Sequence, residues 1–208
     1  MDTFTFVRGR VIPLVQPNLD TDVIIRIERL TGLPKSELGR YAFEALRYGA
    51  DGEERSDCVL NQPHFRGAPI LLAGANFGCG SSREGAVWAL QGAGIRCVIA
   101  ESFGDIFYGN CFQNGVLPIR LPVSAIKDLA SRANKGEEIN VDLERQTVSV
   151  EGCTAFQFDV APMRRQMLLL GLDEIAQTRQ LEPEIVAWQT DDRRRRPWVW
   201  HTSSSSDQ

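Results

Sequence analysis

The sequence is poor in the residues that build metal centres and catalytic triads. It has two histidines, His64 and His201, which leaves little material for a metal site or a Ser-His-Asp triad. His201 falls in a polar tail, and His64 reads as a loop residue beside Pro63. The five cysteines, at 58, 79, 97, 111 and 153, are odd in number and widely spaced, with no C-x-x-C pair. Such spacing makes the chain a poor holder of zinc or of an iron–sulfur cluster by itself. No run approaches the roughly 18 apolar residues of a membrane span, and the N-terminus lacks the apolar centre of a secretory signal. A net charge of −4 argues against general nucleic-acid affinity. The expectation is a cytoplasmic protein that binds neither nucleic acid nor membrane.

What is present is ordinary in bulk and concentrated in one place. At 208 residues, with 43% hydrophobic and 24% charged, the chain is long enough to bury a real core. Its chemistry gathers in residues 75–84, Ala-Asn-Phe-Gly-Cys-Gly-Ser-Ser-Arg-Glu. An apolar run at 68–73 leads in and a helix-like pattern leads out, so this is a strand-to-helix turn. Gly78 and Gly80 permit positive φ and let backbone N–H groups face an anion. Ser81 and Glu84 have capping-box spacing, which starts the helix near Ser81 and brings its positive dipole end close. One reading is a plain tight turn with a helix cap. The other is a carboxylate or phosphate site, favoured by two hydroxyls and Arg83 at a strand's carboxyl end.

The remaining pattern predicts a partly parallel α/β fold. Residues 5–14 read as a strand bent at Gly9, and 18–25 as a loop and short strand whose Asp20 and Asp22 either close turns or anchor a polar network. A helix is expected over 36–48, and a short strand near 58–60. Strands at 68–73, 96–100 and 116–121 alternate with helices at 82–91 and 102–112, which implies parallel pairing. A helix at 122–135 precedes an antiparallel meander at 139–141, 147–150 and 156–160. Residues 162–170 and 172–189 read as helices separated by Gly171. The domain is expected to span 1–189, and the Arg/Ser-rich stretch 190–208 to be a disordered tail.

One pattern is that of a dinucleotide-binding module: Gly78-x-Gly80-x-x is a partial G-x-G-x-x-G, with Glu101 about 20 residues on. Its third glycine is replaced by Arg83, and a long segment precedes it. A more specific pattern comes from three stretches taken in order. They are Asn-Leu-Asp-Thr-Asp-Val-Ile-Ile at 18–25, Asn-Phe-Gly-Cys-Gly-Ser-Ser-Arg-Glu at 76–84, and Ser-Phe-Gly-Asp-Ile-Phe-Tyr-Gly-Asn at 102–110 followed by Leu117-Pro118. Together they resemble the small subunits of 3-isopropylmalate dehydratase, which are similar to the swivelling domain of aconitase. The likeness covers roughly residues 8–189.

The resemblance implies a swivelling β/β/α domain as in the aconitase C-terminal domain, with a mixed, partly parallel sheet. It implies a hydro-lyase reaction on 2-isopropylmalate in leucine biosynthesis, carried out with a large subunit that bears a [4Fe-4S] cluster; this chain binds no cofactor. Carried onto Gly-Ser-Ser-Arg, it makes Ser81 the base and Arg83 the partner of a substrate carboxylate. Ser82 and the Gly80 amide are then further substrate-binding groups. By position, 26–35 is a loop facing the substrate's variable part, and Arg26 on it is a candidate to bind an extra carboxylate. The chain departs from the family's usual Pro, Glu and His at Arg26, Ala75 and Gly85. A paralogue acting on homoaconitate, citramalate or a similar 2-hydroxy diacid is the alternative these departures raise.

Overall fold

The computed structural model describes residues 1–80 and 83–200. Two four-stranded sheets form the frame. β1 (Phe6–Gly9) and β2 (Val11–Leu14) follow one another yet belong to different sheets. The single bent strand expected at 5–14 is thus two strands, turned at Gly9 and Arg10, which tie the layers together. In the parallel sheet β2 is followed by β3 (Ile70–Ala73), β4 (Cys97–Ala100) and β5 (Leu117–Arg120), each paired with the next in chain order. The antiparallel sheet runs β1, β6 (Ile139–Asp142), β7 (Thr147–Val150), β8 (Phe156–Gln157).

Burial explains the parallel sheet. β3, Ile-Leu-Leu-Ala, and β4, Cys-Val-Ile-Ala, are buried at every position, as strands covered on both faces must be. Leu71, Ala73, Val98 and Ala100 face a core with α1 (Thr21–Ile24), α2 (Ile27–Gly32), α3 (Glu44–Arg47) and α4 (Gly85–Gly92) around it. Ile70, Leu72, Cys97 and Ile99 face the opposite core, shared with Ile139, Val141 and Val148 of the antiparallel sheet. α5 (Asp105–Gln113) supplies Phe107 and Cys111 to the first core and Phe112 to the second. α6 (Val123–Asn134) packs Ala125, Ile126, Leu129 and Ala133, one stripe at helical spacing, onto the second core. The layering is the β/β/α arrangement that the motifs implied.

Several local expectations are corrected. The helix at 36–48 is a 3-10 segment, Lys35–Tyr41, followed by the short α3. Between them Phe43 takes φ 58°, is buried, and donates its N–H to the Ile24 carbonyl at 2.8 Å. Core burial of that ring therefore overrides helix continuity. Residues 21–24 are helical where a short strand was expected, because the Asp20 side chain accepts from Val23 N at 2.8 Å and caps the turn. Near 58–60 the chain forms a 3-10 turn, Val59–Asn61, and not a strand. At 26–35 it is largely α2 rather than an open loop.

The C-terminal end differs most. α7 (Pro162–Leu170) ends at Gly171 with φ 66°. The segment 172–189 is two helices, α8 (Glu174–Gln180) and α9 (Glu182–Arg195), where Pro183 opens the second. The disorder expected from Thr190 is corrected as far as residue 200: α9 runs to Arg195, and Pro197–Val199 is a 3-10 turn. Its acids Glu182 and Glu184 lie in the first turn and Arg193, Arg194 and Arg195 in the last, the order that suits the helix dipole. Buried Asp192 accepts from Arg196 Nε at 2.7 Å and Trp200 Nε1 at 3.0 Å, tying down the end. The rest of the tail, 201–208, lies outside the described residues. No described helix is long and apolar enough to cross a membrane.

Candidate active site

The three stretches that carried the resemblance meet at one edge of the parallel sheet. Residues 18–25 follow β2, 76–84 follow β3 and 102–110 follow β4, and those strands are neighbours. The backbone joins them. Asn18 N–H donates to Ala75 O at 2.8 Å, Gly78 N–H to Leu19 O at 2.7 Å, and Thr21 N–H to Cys79 O at 3.0 Å. On the other side Phe77 N–H donates to Ser102 O at 3.0 Å and Gly104 N–H to Phe77 O at 2.9 Å. The Gly-rich turn is clamped between its neighbours as a short continuation of the sheet.

Two side-chain devices hold the entry to this turn. Asn18 and Asn76 both adopt left-handed backbone, φ 58° and 56°, a conformation Asn tolerates better than most residues. Asn76 Nδ2 donates to Asn18 Oδ1 at 2.9 Å, and Asn76 N–H to Ser102 Oγ at 2.8 Å.

Gly78 is seated on an aromatic cluster. Its φ is 70°, and a Cβ there would stand 2.3 Å from Phe107 Cγ. Phe107 lies edge-on to Phe77, 5.4 Å between centroids, and stacks at 6.4 Å with Phe103. Gly78→Ala is therefore expected to cost about 3 kcal/mol, from the left-handed penalty and overpacking together. That corresponds to a fall in Tm of roughly 10 °C for a domain this size. Gly80, with φ 89° and its nearest hindrance at 3.3 Å, is the milder control. Thermal unfolding of both variants checks this, and a Gly78→Ala protein as stable as the parent would refute the steric account.

The charged side chains take up the far end of the turn. Arg83 Nη1 donates to Asp22 Oδ1 at 2.6 Å, and its side chain remains 32% exposed. Asp22 sits in the first turn of α1, which Asp20 caps. Both aspartates thus order the loop that holds Arg83. Helix α4 begins at Gly85, later than the capping-box pattern suggested, and the Glu84 carboxylate accepts from Asn114 Nδ2 at 2.7 Å. Asn114 is buried; its Oδ1 accepts from Trp88 Nε1 at 2.9 Å and its Nδ2 also donates to Asn110 O at 2.9 Å. This hub joins the start of α4 to the end of α5. Sequence reasoning missed it because Asn114-Gly115 reads only as a helix terminus.

Of the expected site residues, Ser81 and Ser82 lie outside the described residues. Arg83 and exposed Gly80 are on the clamped turn. Arg26 is exposed at the start of α2, on a concavity of about 730 Å³ lined also by Arg40, Tyr41, Glu44 and Tyr48. There the Arg29 guanidinium, bonded to Glu44 at 2.6 and 3.0 Å, holds that carboxyl below its usual range. Gly85 packs where a Cβ would stand 2.4 Å from Leu30 Cδ2, so α2 fills the space a larger residue would need.

Burial pushes the Cys97 and Cys111 thiols up, and Cys153 accepts from Arg132 Nη1 at 3.1 Å. Among the described residues no three His, Cys, Asp or Glu groups converge to hold a metal.

Comparisons with known proteins agree with this geometry. Residues 1–124 match the aconitase C-terminal domain. The 3-isopropylmalate dehydratase small subunit of Paramagnetospirillum magneticum is 46% identical over 201 residues, covering 96% of this chain and all of that protein. The small subunit from Gluconobacter oxydans is 48% identical, covering 96% of each. A crystal structure of 3-isopropylmalate dehydratase from Methanocaldococcus jannaschii superposes with a TM-score of 0.63 at 25% identity, over 89% of this chain and 99% of that one. A shared fold, a shared order of loops around the turn and near-half identity along almost the whole chain place it together: it belongs to the aconitase C-terminal-domain family, among the 3-isopropylmalate dehydratase small subunits.

Proposed function

We propose that this chain is the small subunit of a cytoplasmic 3-isopropylmalate dehydratase, which with a large subunit isomerises 2-isopropylmalate to 3-isopropylmalate. The observation that carries the reading is the clamping of 18–22 and 102–104 onto the 75–80 turn, which leaves Gly80 and part of Arg83 exposed at a sheet edge. A site this open needs a second chain to exclude water.

In this reading Ser81, as alkoxide, takes the proton from the carbon next to a carboxylate. The C–H electron pair becomes the C=C bond as the neighbouring C–O bond breaks and the hydroxyl leaves. Readdition with the opposite regiochemistry, the hydroxyl to the carbon that lost the proton and a proton to the carbon that lost the hydroxyl, gives the isomer. Arg83 pairs with a substrate carboxylate through its guanidinium fork, oriented by Asp22. Ser82 and the Gly80 amide supply further hydrogen bonds. Departure of the hydroxyl falls to the large subunit, where this reading places a [4Fe-4S] cluster as Lewis acid.

A second reading is favoured by Arg26, which lines the open concavity beside Arg40. That position suits an additional carboxylate, as in homoaconitate-type triacids. The test of both is reconstitution with the cluster-bearing large subunit and a panel of 2-isopropylmalate, homocitrate and citramalate. Turnover of 2-isopropylmalate is expected from the mixture and from neither chain alone. Preference for a tricarboxylate would select the second reading, and an assembled complex inert toward all three would defeat both.

A further inference from the structure

Two guanidinium groups in this chain share one aromatic ring and hold no carboxylate. Arg120 ends β5 at the carboxyl edge of the parallel sheet and is exposed; its Cζ lies 4.1 Å from the Tyr108 ring centroid. Arg164, exposed on α7, lies 5.2 Å from the same centroid and 5.1 Å from that of Phe112. Among the described residues neither forms an ion pair or a hydrogen bond. Arg29, Arg55, Arg83 and Arg132, by contrast, each hold a carboxylate within the chain. Stacking over a ring is worth about 0.5–1 kcal/mol at exposed sites and leaves the in-plane N–H donors free. Two like charges beside one ring also repel. Both facts favour an anionic group arriving from outside.

The pair stands next to the clamped turn. Tyr108 lies in the first turn of α5, and its N–H donates to Gly104 O at 2.9 Å. Gly104 in turn touches the turn directly: a Cβ on it would stand 2.7 Å from Gly78 O. Phe103 bridges the remaining space, 5.5 Å from Tyr108 and 6.4 Å from Phe107 between centroids. Along α5, one helical turn, about 5.4 Å, separates Tyr108, whose ring both arginines share, from Gly104, which packs on the Gly-rich turn. An exposed pair of this kind suits side chains on a protein surface, since small anions prefer concave sites.

We propose that Arg120 and Arg164 receive carboxylate side chains of the large subunit and so dock it over the face that carries Gly78, Gly80 and Arg83. The inference rests on the two-chain reading above. It is tested with the full chain and the large subunit, by measuring Kd and association rate at several salt concentrations for Arg120→Ala, Arg164→Ala, the double Arg→Glu variant and a Lys135→Ala control. Each alanine is expected to raise Kd about three- to tenfold, mainly through slower association, and the double reversal about a hundredfold, with a shallower salt dependence. The control leaves assembly unchanged, and thermal unfolding confirms that all variants fold. If the parent chain does not assemble with the large subunit, the two-chain reading fails and takes this inference with it. If the parent assembles and the double reversal binds equally well, only the docking assignment is lost. Unchanged assembly with a raised KM for the diacid would assign the pair to a small anion and overturn the proposal.

Discussion

Replacing Arg83 with alanine in the assembled enzyme is expected to lower kcat/KM about a thousandfold, close to 4 kcal/mol of lost transition-state stabilisation. Two contributions combine. A forked, charged hydrogen-bond donor to the substrate carboxylate disappears, and the positive field that lowers the cost of ionising Ser81 disappears with it. Arg83→Lys keeps the charge but loses the fork, so an intermediate loss is expected, with the larger part in KM. Folding should hardly respond. The Arg83–Asp22 contact of 2.6 Å is between groups 32% and 55% exposed, and such pairs contribute at most about 1 kcal/mol. Steady-state kinetics beside thermal unfolding separates the two effects; equal losses of activity and stability would mean that Arg83 is structural.

How much of this was legible in the chain depends on the distance over which each feature is determined. The parallel strands were readable because Ile70–Ala73 and Cys97–Ala100 are wholly apolar and separated by helix-length segments. The antiparallel strands were readable from alternation, as in Ile139–Asp142 with buried and half-buried residues in turn. Breaks set by tertiary contacts were not readable. Phe43 interrupts a good helical stripe because its ring is needed in the core, and no local pattern announces that. The arginine run after Thr190 has the composition of a solvated tail, yet its charges suit a helix C-terminus and Asp192 holds Arg196 at its end. Position in an element, rather than composition, decides that segment.

The site divides in the same way. Gly78, Gly80 and Arg83 were marked by type and spacing within a few residues. Their surroundings come from far along the chain: Asp22 reaches Arg83, Asn18 reaches Asn76 and Asn114 reaches Glu84. Of the two roles open to Asp22, closing a turn or anchoring a polar network, the structure has the second, through its contact with Arg83. The Asn114 hub had no signal in the sequence beyond an Asn-Gly helix end.

The larger effect is expected at Ser81. A serine hydroxyl is far too weak an acid to ionise unaided near neutrality, so the role proposed for it depends on what stands nearby. Arg83 follows two residues later in sequence, the amides of a glycine-rich turn precede it, and α4, eight residues long, begins at Gly85 with its positive end toward this segment. Alanine at this position removes the base outright; the motif at 75–84 contains no histidine, and its one carboxylate, Glu84, accepts from Asn114. The decisive measurement is the turnover of 2-isopropylmalate by the reconstituted two-subunit enzyme carrying Ser81→Ala, with assembly checked on the same sample. A loss of at least about a thousandfold with an intact complex is the predicted result; turnover equal to that of the parent enzyme would contradict the account at its centre.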